Sequence, residues 1–146
     1  MNFRTLGLLG LAATLALAST FAFAQEPAAT AAPAVAIAPA APLKLSNKWR
    51  IEVHEGSNNT GTLLFRVTPD KGTATDVLVN IKKGRSENGV ARDVKDTFKK
   101  VLDPKVYHIE GDDGEDVLVK KRKGPDFEVK LVESTLKGTR INLDKE

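Results

Sequence analysis

The chain of 146 residues contains no cysteine, which excludes a disulfide scaffold, a thiol nucleophile, cysteine zinc sites and a lipidated N-terminal cysteine. Histidine is almost as scarce. His54 and His108 are the only two, too few for a multi-histidine metal centre. The glycine-rich phosphate loops are missing as well. Gly84-Arg85-Ser86-Glu87-Asn88-Gly89 lacks the Walker lysine and the dinucleotide glycine triplet, and no Gly-x-Ser-x-Gly elbow occurs. Charge of one sign is also lacking: 22 basic residues face 19 acidic ones, for a net charge of +3. So small an excess gives no ground for expecting a nucleic-acid partner, which calls for a clustered basic face.

Apolar runs long enough to span a membrane are absent outside residues 1–24, and that segment has the three parts of a secretory signal. Arg4 supplies a positive start, Leu6 to Ala18 an apolar run, and Ala22-Phe23-Ala24 the small residues that a signal peptidase accommodates. Cleavage is expected before Gln25. The rival reading, a retained anchor, is disfavoured by the Ala, Gly, Ser and Thr content and by the lack of a following positive cluster. Residues 25–43 (QEPAATAAPAVAIAPAAPL) are Ala/Pro low complexity with a single charge, and read as a disordered linker. A single domain is left at 44–146. The expected location is periplasmic or secreted, with no membrane span after cleavage.

Within 44–146 the apolar period is two in most places. Trp49, Ile51 and Val53 alternate with Arg50, Glu52 and His54 in a strand over Lys48–Glu55. After the turn cluster GSNNTG, Leu63, Phe65 and Val67 mark a second strand, so the two read as a hairpin. Pro69-Asp70-Lys71-Gly72 is a turn, followed by Val77, Val79 and Ile81 in a third strand. The period then changes. Val90, Ala91, Val94, Phe98, Val101 and Leu102 fall at steps of three and four, the stripe of an amphipathic helix. Ser86 or Asn88 can cap it, Lys99 and Lys100 suit its C-terminal dipole, and Pro104 stops it. Strands follow over Val106–Glu110 and Asp116–Lys121 around the turn Asp113-Gly114, then over Asp126–Val132 and Thr139–Leu143. The expected architecture is α+β and two-layer: one helix packed on a mostly antiparallel sheet of about six or seven strands, in the order βββαββββ.

Chemistry-bearing clusters are few. Asp112, Asp113, Glu115 and Asp116 lack the spacing of a calcium loop and read as a solvated turn. Lys120-Lys121-Arg122-Lys123 lies on a strand, where alternation sends successive charges to opposite sides. His54 and His108 fall on the polar faces of their strands with no nucleophile motif beside them. Asn58-Asn59-Thr60 has the form of a glycosylation sequon. No catalytic residue, metal site or cofactor is expected.

The stretch from about residue 75 to 132 resembles a strand–helix–strand module of phage tail sheath and bacterial surface proteins. There a strand ends in Gly-x-Ser/Thr, and the helix carries Val/Ile-Ala-x-x-Ile/Val-x-x-x-Leu/Phe. Gly84, Ser86, Val90, Ala91, Val94 and Phe98 match, with Tyr107 opening the next strand. The resemblance implies an assembly or display role and carries no catalytic residues. The chain departs from it in having its own signal and in lacking the large companion domains. It is also similar to small uncharacterised secreted proteins of Gram-negative bacteria, a likeness that implies no activity.

Together these features point to an exported, non-enzymatic envelope domain that binds a protein or cell-wall polymer through a polar sheet face or an exposed edge strand. The contact residues proposed from the strand pattern are Arg50, His54, Arg66, Lys130 and Arg140. The alternatives are a small secreted hydrolase acting on envelope material, and a structural or stress-related envelope component without a defined ligand. Oligomeric state is not readable from this pattern.

Overall fold

The computed structural model describes residues 41–146; the expected signal segment and residues 25–40 of the linker lie outside the described residues. The chain forms β1 (Lys48–His54), β2 (Gly61–Pro69), β3 (Thr75–Ile81), α1 (Glu87–Val101), β4 (Tyr107–Asp112), β5 (Asp116–Lys121), β6 (Phe127–Ser134) and β7 (Arg140–Lys145). It is an α+β fold, and every strand pair is antiparallel.

The strands do not make one sheet. They divide into a four-stranded sheet, β4-β5-β1-β7, and a three-stranded sheet, β3-β2-β6. This corrects the expectation of a helix laid on a single sheet in two layers. The hairpin expected between β1 and β2 does not form, because β1 pairs with β5 and β7, and β2 with β3 and β6. The cause lies in the loop that joins them. Ser57 N–H donates to the Arg85 carbonyl, Gly84 N–H donates to Ser57, and Asn58 N–H donates to Lys137. These bonds lead the chain away from β1 and into the second sheet. Gly56 is required on this path, since a Cβ there would run into the Arg85 carbonyl.

Alternation correctly assigns the faces. Trp49, Ile51 and Val53, Val117 and Val119, Leu63, Phe65 and Val67, and Val77, Val79 and Ile81 are all buried. The helix fills the space against both sheets, packing on β3 from one and on β1, β4 and β5 from the other. Its stripe of Val90, Ala91, Val94 and Phe98 is buried, and the Phe98 ring meets Phe65 edge-on with centroids 5.3 Å apart. Ser86 is the N-cap, its hydroxyl accepting from Gly89 N–H, with Glu87 in the first turn and Lys99 and Lys100 in the last. The hairpin between β4 and β5 turns through Asp113 and Gly114, at φ 45° and 81°, a left-handed pair that Asp and Gly tolerate better than other residues.

Phe127 also joins the sheets. Ser46 and Phe127 exchange both backbone hydrogen bonds (2.9 and 3.0 Å). The Trp49 indole N–H also donates to the Phe127 carbonyl at 2.8 Å, from inside the core. The Tyr107 ring packs edge-on against Phe127 at 5.1 Å. Beyond this junction β6 and β7 approach each other but do not pair.

Three substitutions test this account by chemical denaturation. Phe98→Ala is expected to cost about 3–5 kcal/mol through the cavity it leaves between the sheets. Ser86→Ala is expected to cost about 1 kcal/mol through the lost cap. Trp49→Phe keeps an aromatic ring but removes the indole donor and part of the buried ring system, and is expected to cost about 1–3 kcal/mol.

Candidate functional site

The outer face of the four-stranded sheet is a lattice of charged side chains brought together by strand register. Arg50 on β1 is its centre. Its Nη1 lies 2.6 Å from Asp116 Oδ2 and 3.1 Å from Asp112 Oδ2, and its Nε donates to Glu146. Lys48 also pairs with Glu146. On the neighbouring strands Lys120 bridges to Glu110, whose Oε2 lies 2.9 Å from His108 Nε2, and Arg122 Nη2 donates to His108 Nδ1 at 2.6 Å. Leu118 sits on this face between its cross-strand neighbours Arg50 and Glu110, yet is only 4 % exposed. The aliphatic stems of such long charged residues shelter an apolar neighbour while their heads stay wet.

This lattice shifts the titration of its carboxylates. Lys120 and then His108 hold the Glu110 carboxyl below its ordinary value by hydrogen bonding. Lys48 and then Arg50 do the same to Glu146. The Arg50 guanidinium, bonded to Asp116 and Glu146, is pushed above its already high value. It stays charged wherever the protein is folded.

The residues singled out in the sequence separate into two groups. Arg50 and His54 on β1 and Arg140 on β7 share the outer face of the four-stranded sheet, with His54 and Arg140 directly opposite one another. Asn142 Nδ2 lies 3.0 Å from His54 Nε2, Glu52 Oε2 lies 3.5 Å from it, and Arg140 reaches Glu55 at 3.6 Å. Arg66 on β2 and Lys130 on β6 are opposite each other on the outer face of the other sheet. Arg66 is held by Asp76 through a two-pronged pair at 2.6 and 2.8 Å, which also depresses the Asp76 carboxyl. The five residues therefore belong to two surfaces.

The other clusters are largely consumed by internal pairing. In the acidic turn, Asp112 and Asp116 both neighbour the Arg50 guanidinium, and the described residues contain no group of three or more metal-ligating side chains. In the basic run, Lys120 pairs with Glu110, Lys121 with Asp126 and Arg122 with His108. The side chain of Asn59, the middle residue of the sequon, is tied to the backbone of Thr60, Thr135 and Lys137. At the helix start Arg85 is engaged by Asp93.

The feature that sequence reasoning missed is a groove of about 920 Å³ between β6 and β7. Trp49, Val129, Leu131 and Leu143 supply its apolar lining, and Arg66 and Lys130 stand at its rim. A volume of this order is typical of ligand clefts. Nothing in the sequence marks it, because an edge exists only once it is known which strands pair.

Because the folded-state values of Glu110 and Glu146 are lowered, their contribution to stability is full above the ordinary carboxylate range. It is lost as pH falls through the lowered values. Thermal melts are expected to hold steady from pH 7 to about pH 5 and to decline below roughly pH 4. Glu146→Gln is expected to melt below the parent at pH 7, with the gap closing as the pH falls below the ordinary carboxylate range. Comparison with family models, curated proteins and solved structures finds no match to this chain.

Proposed function

We propose that the protein is an exported, non-enzymatic envelope domain that binds a protein or cell-wall partner through the free edges of its sheets. The observation that supports this is the groove between β6 and β7, where two strands with one partner each face one another. Such edges carry unpaired backbone donors and acceptors, and strand addition is a frequent mode of recognition. The outer faces, by contrast, hold much of their charge in internal pairs, which reduces what they offer a partner. The signal-like N-terminal segment supports the location, and the assembly role implied by the tail-protein resemblance belongs to the same class of function.

The test is a titration of isotopically labelled protein with envelope extract and with peptidoglycan fragments, followed by amide resonances. Saturable shifts confined to β6 and β7 are expected from one of the two. Shifts in neither, at low salt, would overturn the reading.

A further inference from the structure

The direction of the backbone groups on β6 and β7 narrows the kind of partner, if binding at these edges is accepted. In an antiparallel strand the N–H and C=O of one residue point to the same side, and successive residues alternate. Phe127 directs both groups away from β2, since both are bonded to Ser46. Asp126 points the other way, its carbonyl accepting from Asp70 N–H at 2.8 Å. Pro69, which has no N–H, lies opposite Phe127 in the ladder, where β2 needs no donor. Val129 and Leu131 therefore also direct their N–H and C=O away from β2 and toward the groove.

The same reasoning applies to β7. Glu146 N–H donates to the Lys48 carbonyl on β1 at 3.1 Å. Lys145, Leu143 and Ile141 then point away from β1, toward β6. Among the described residues no backbone hydrogen bond reaches Val129, Leu131, Ile141 or Leu143 from the groove side.

The chain's own residues 41–45 do not close this edge. Continuing the Ser46–Phe127 register would set Lys44 opposite Val129 and Pro42 opposite Leu131. Lys44 N–H instead donates to the Glu128 side chain at 2.9 Å, and Pro42 has no N–H to give. The ladder stops after one pair, and Ala41–Lys44 form a wall of the groove.

We infer that the groove takes an extended segment of a partner protein. That segment pairs by strand addition along the groove-side backbone of β6 and faces β7 across the groove, with apolar side chains facing inward and acidic side chains facing the rim. The apolar preference follows from the half-buried Leu131 and Leu143, beside the buried Trp49 and Val129 that also line the groove. The acidic preference follows from charge: Lys44, Arg66, Lys130 and Lys145 line the groove against Glu128 and Asp144. Lys44, Lys130 and Lys145 have no ion-pair partner among the described residues, whereas Arg66 is held by Asp76.

The test uses the full chain and a synthetic peptide of alternating Val and Glu. Trp49 is the single tryptophan and lines the groove, so its fluorescence reports occupancy directly. A saturable change is expected, with at least tenfold weaker binding for a Val/Lys peptide at low salt. Methylating alternate amides of the Val/Glu peptide is expected to abolish the change. Amide exchange at Val129, Leu131 and Leu143 is expected to slow at least tenfold in the complex. Lys130→Glu, at an exposed position, is expected to weaken binding at least fivefold while leaving the melting temperature unchanged. Equal binding of the acidic and basic peptides would overturn the charge assignment. Slow exchange at those three amides without peptide, whether or not it depends on protein concentration, would show that this chain fills the edge itself and would overturn the inference. If no peptide binds while envelope material still shifts the β6 and β7 resonances, strand capture fails and partner binding at these edges stands.

Discussion

Three interactions from three parts of the chain converge on Phe127. Ser46 pairs with its backbone, the Trp49 indole donates to its carbonyl, and the Tyr107 ring packs against its side chain. They fasten the two sheets to each other by a buried hydrogen bond and an aromatic pair, in addition to the packing of α1 against both. The Phe127 carbonyl accepts from both the Ser46 N–H and the Trp49 indole, so loss of either donor leaves it still bonded. One wall of the groove follows from this junction: the segment before β1 pairs with β6 at Ser46–Phe127, and that ladder stops one pair later at Lys44 and Pro42.

The electrostatics divide along the same line. On the four-stranded sheet the acidic turn and the C-terminal end of the chain are folded back onto Arg50. Exposed pairs of this kind add little stability each, but they leave that face close to neutral. Among the described residues, Lys44, Lys130 and Lys145 at the groove have no ion-pair partner, and basic side chains outnumber the acidic Glu128 and Asp144 in its lining. Net charge therefore says little about how charge is spread over the surface of this protein. That spread is a product of register.

Much of the local structure was readable in the residues. Trp49-Ile51-Val53, Leu63-Phe65-Val67 and Val77-Val79-Ile81 each present a buried face, as a period of two requires. Val90-Ala91-Val94-Phe98 present the stripe of a helix, and Ser86 caps it. These patterns depend on each residue's own neighbours along the chain. The candidate site was less readable. Arg66 and Lys130 are 64 positions apart and become cross-strand partners only through the pairing of β2 with β6. Arg50 and Glu146 meet only because β1 pairs with β7.

The sequence by itself determined which segments are strands, which one is a helix, and which side of each faces the core, because alternation and a 3.6-residue stripe are properties of a segment alone. That there are two sheets, that β1 turns away from β2, and that among the described residues β6 beyond Phe127 and β7 each pair with one strand alone, is settled by long-range pairing. An alternating strand satisfies its apolar face equally well beside any other alternating strand. The choice among neighbours was made by the loops, the Phe127 junction and the space the helix occupies.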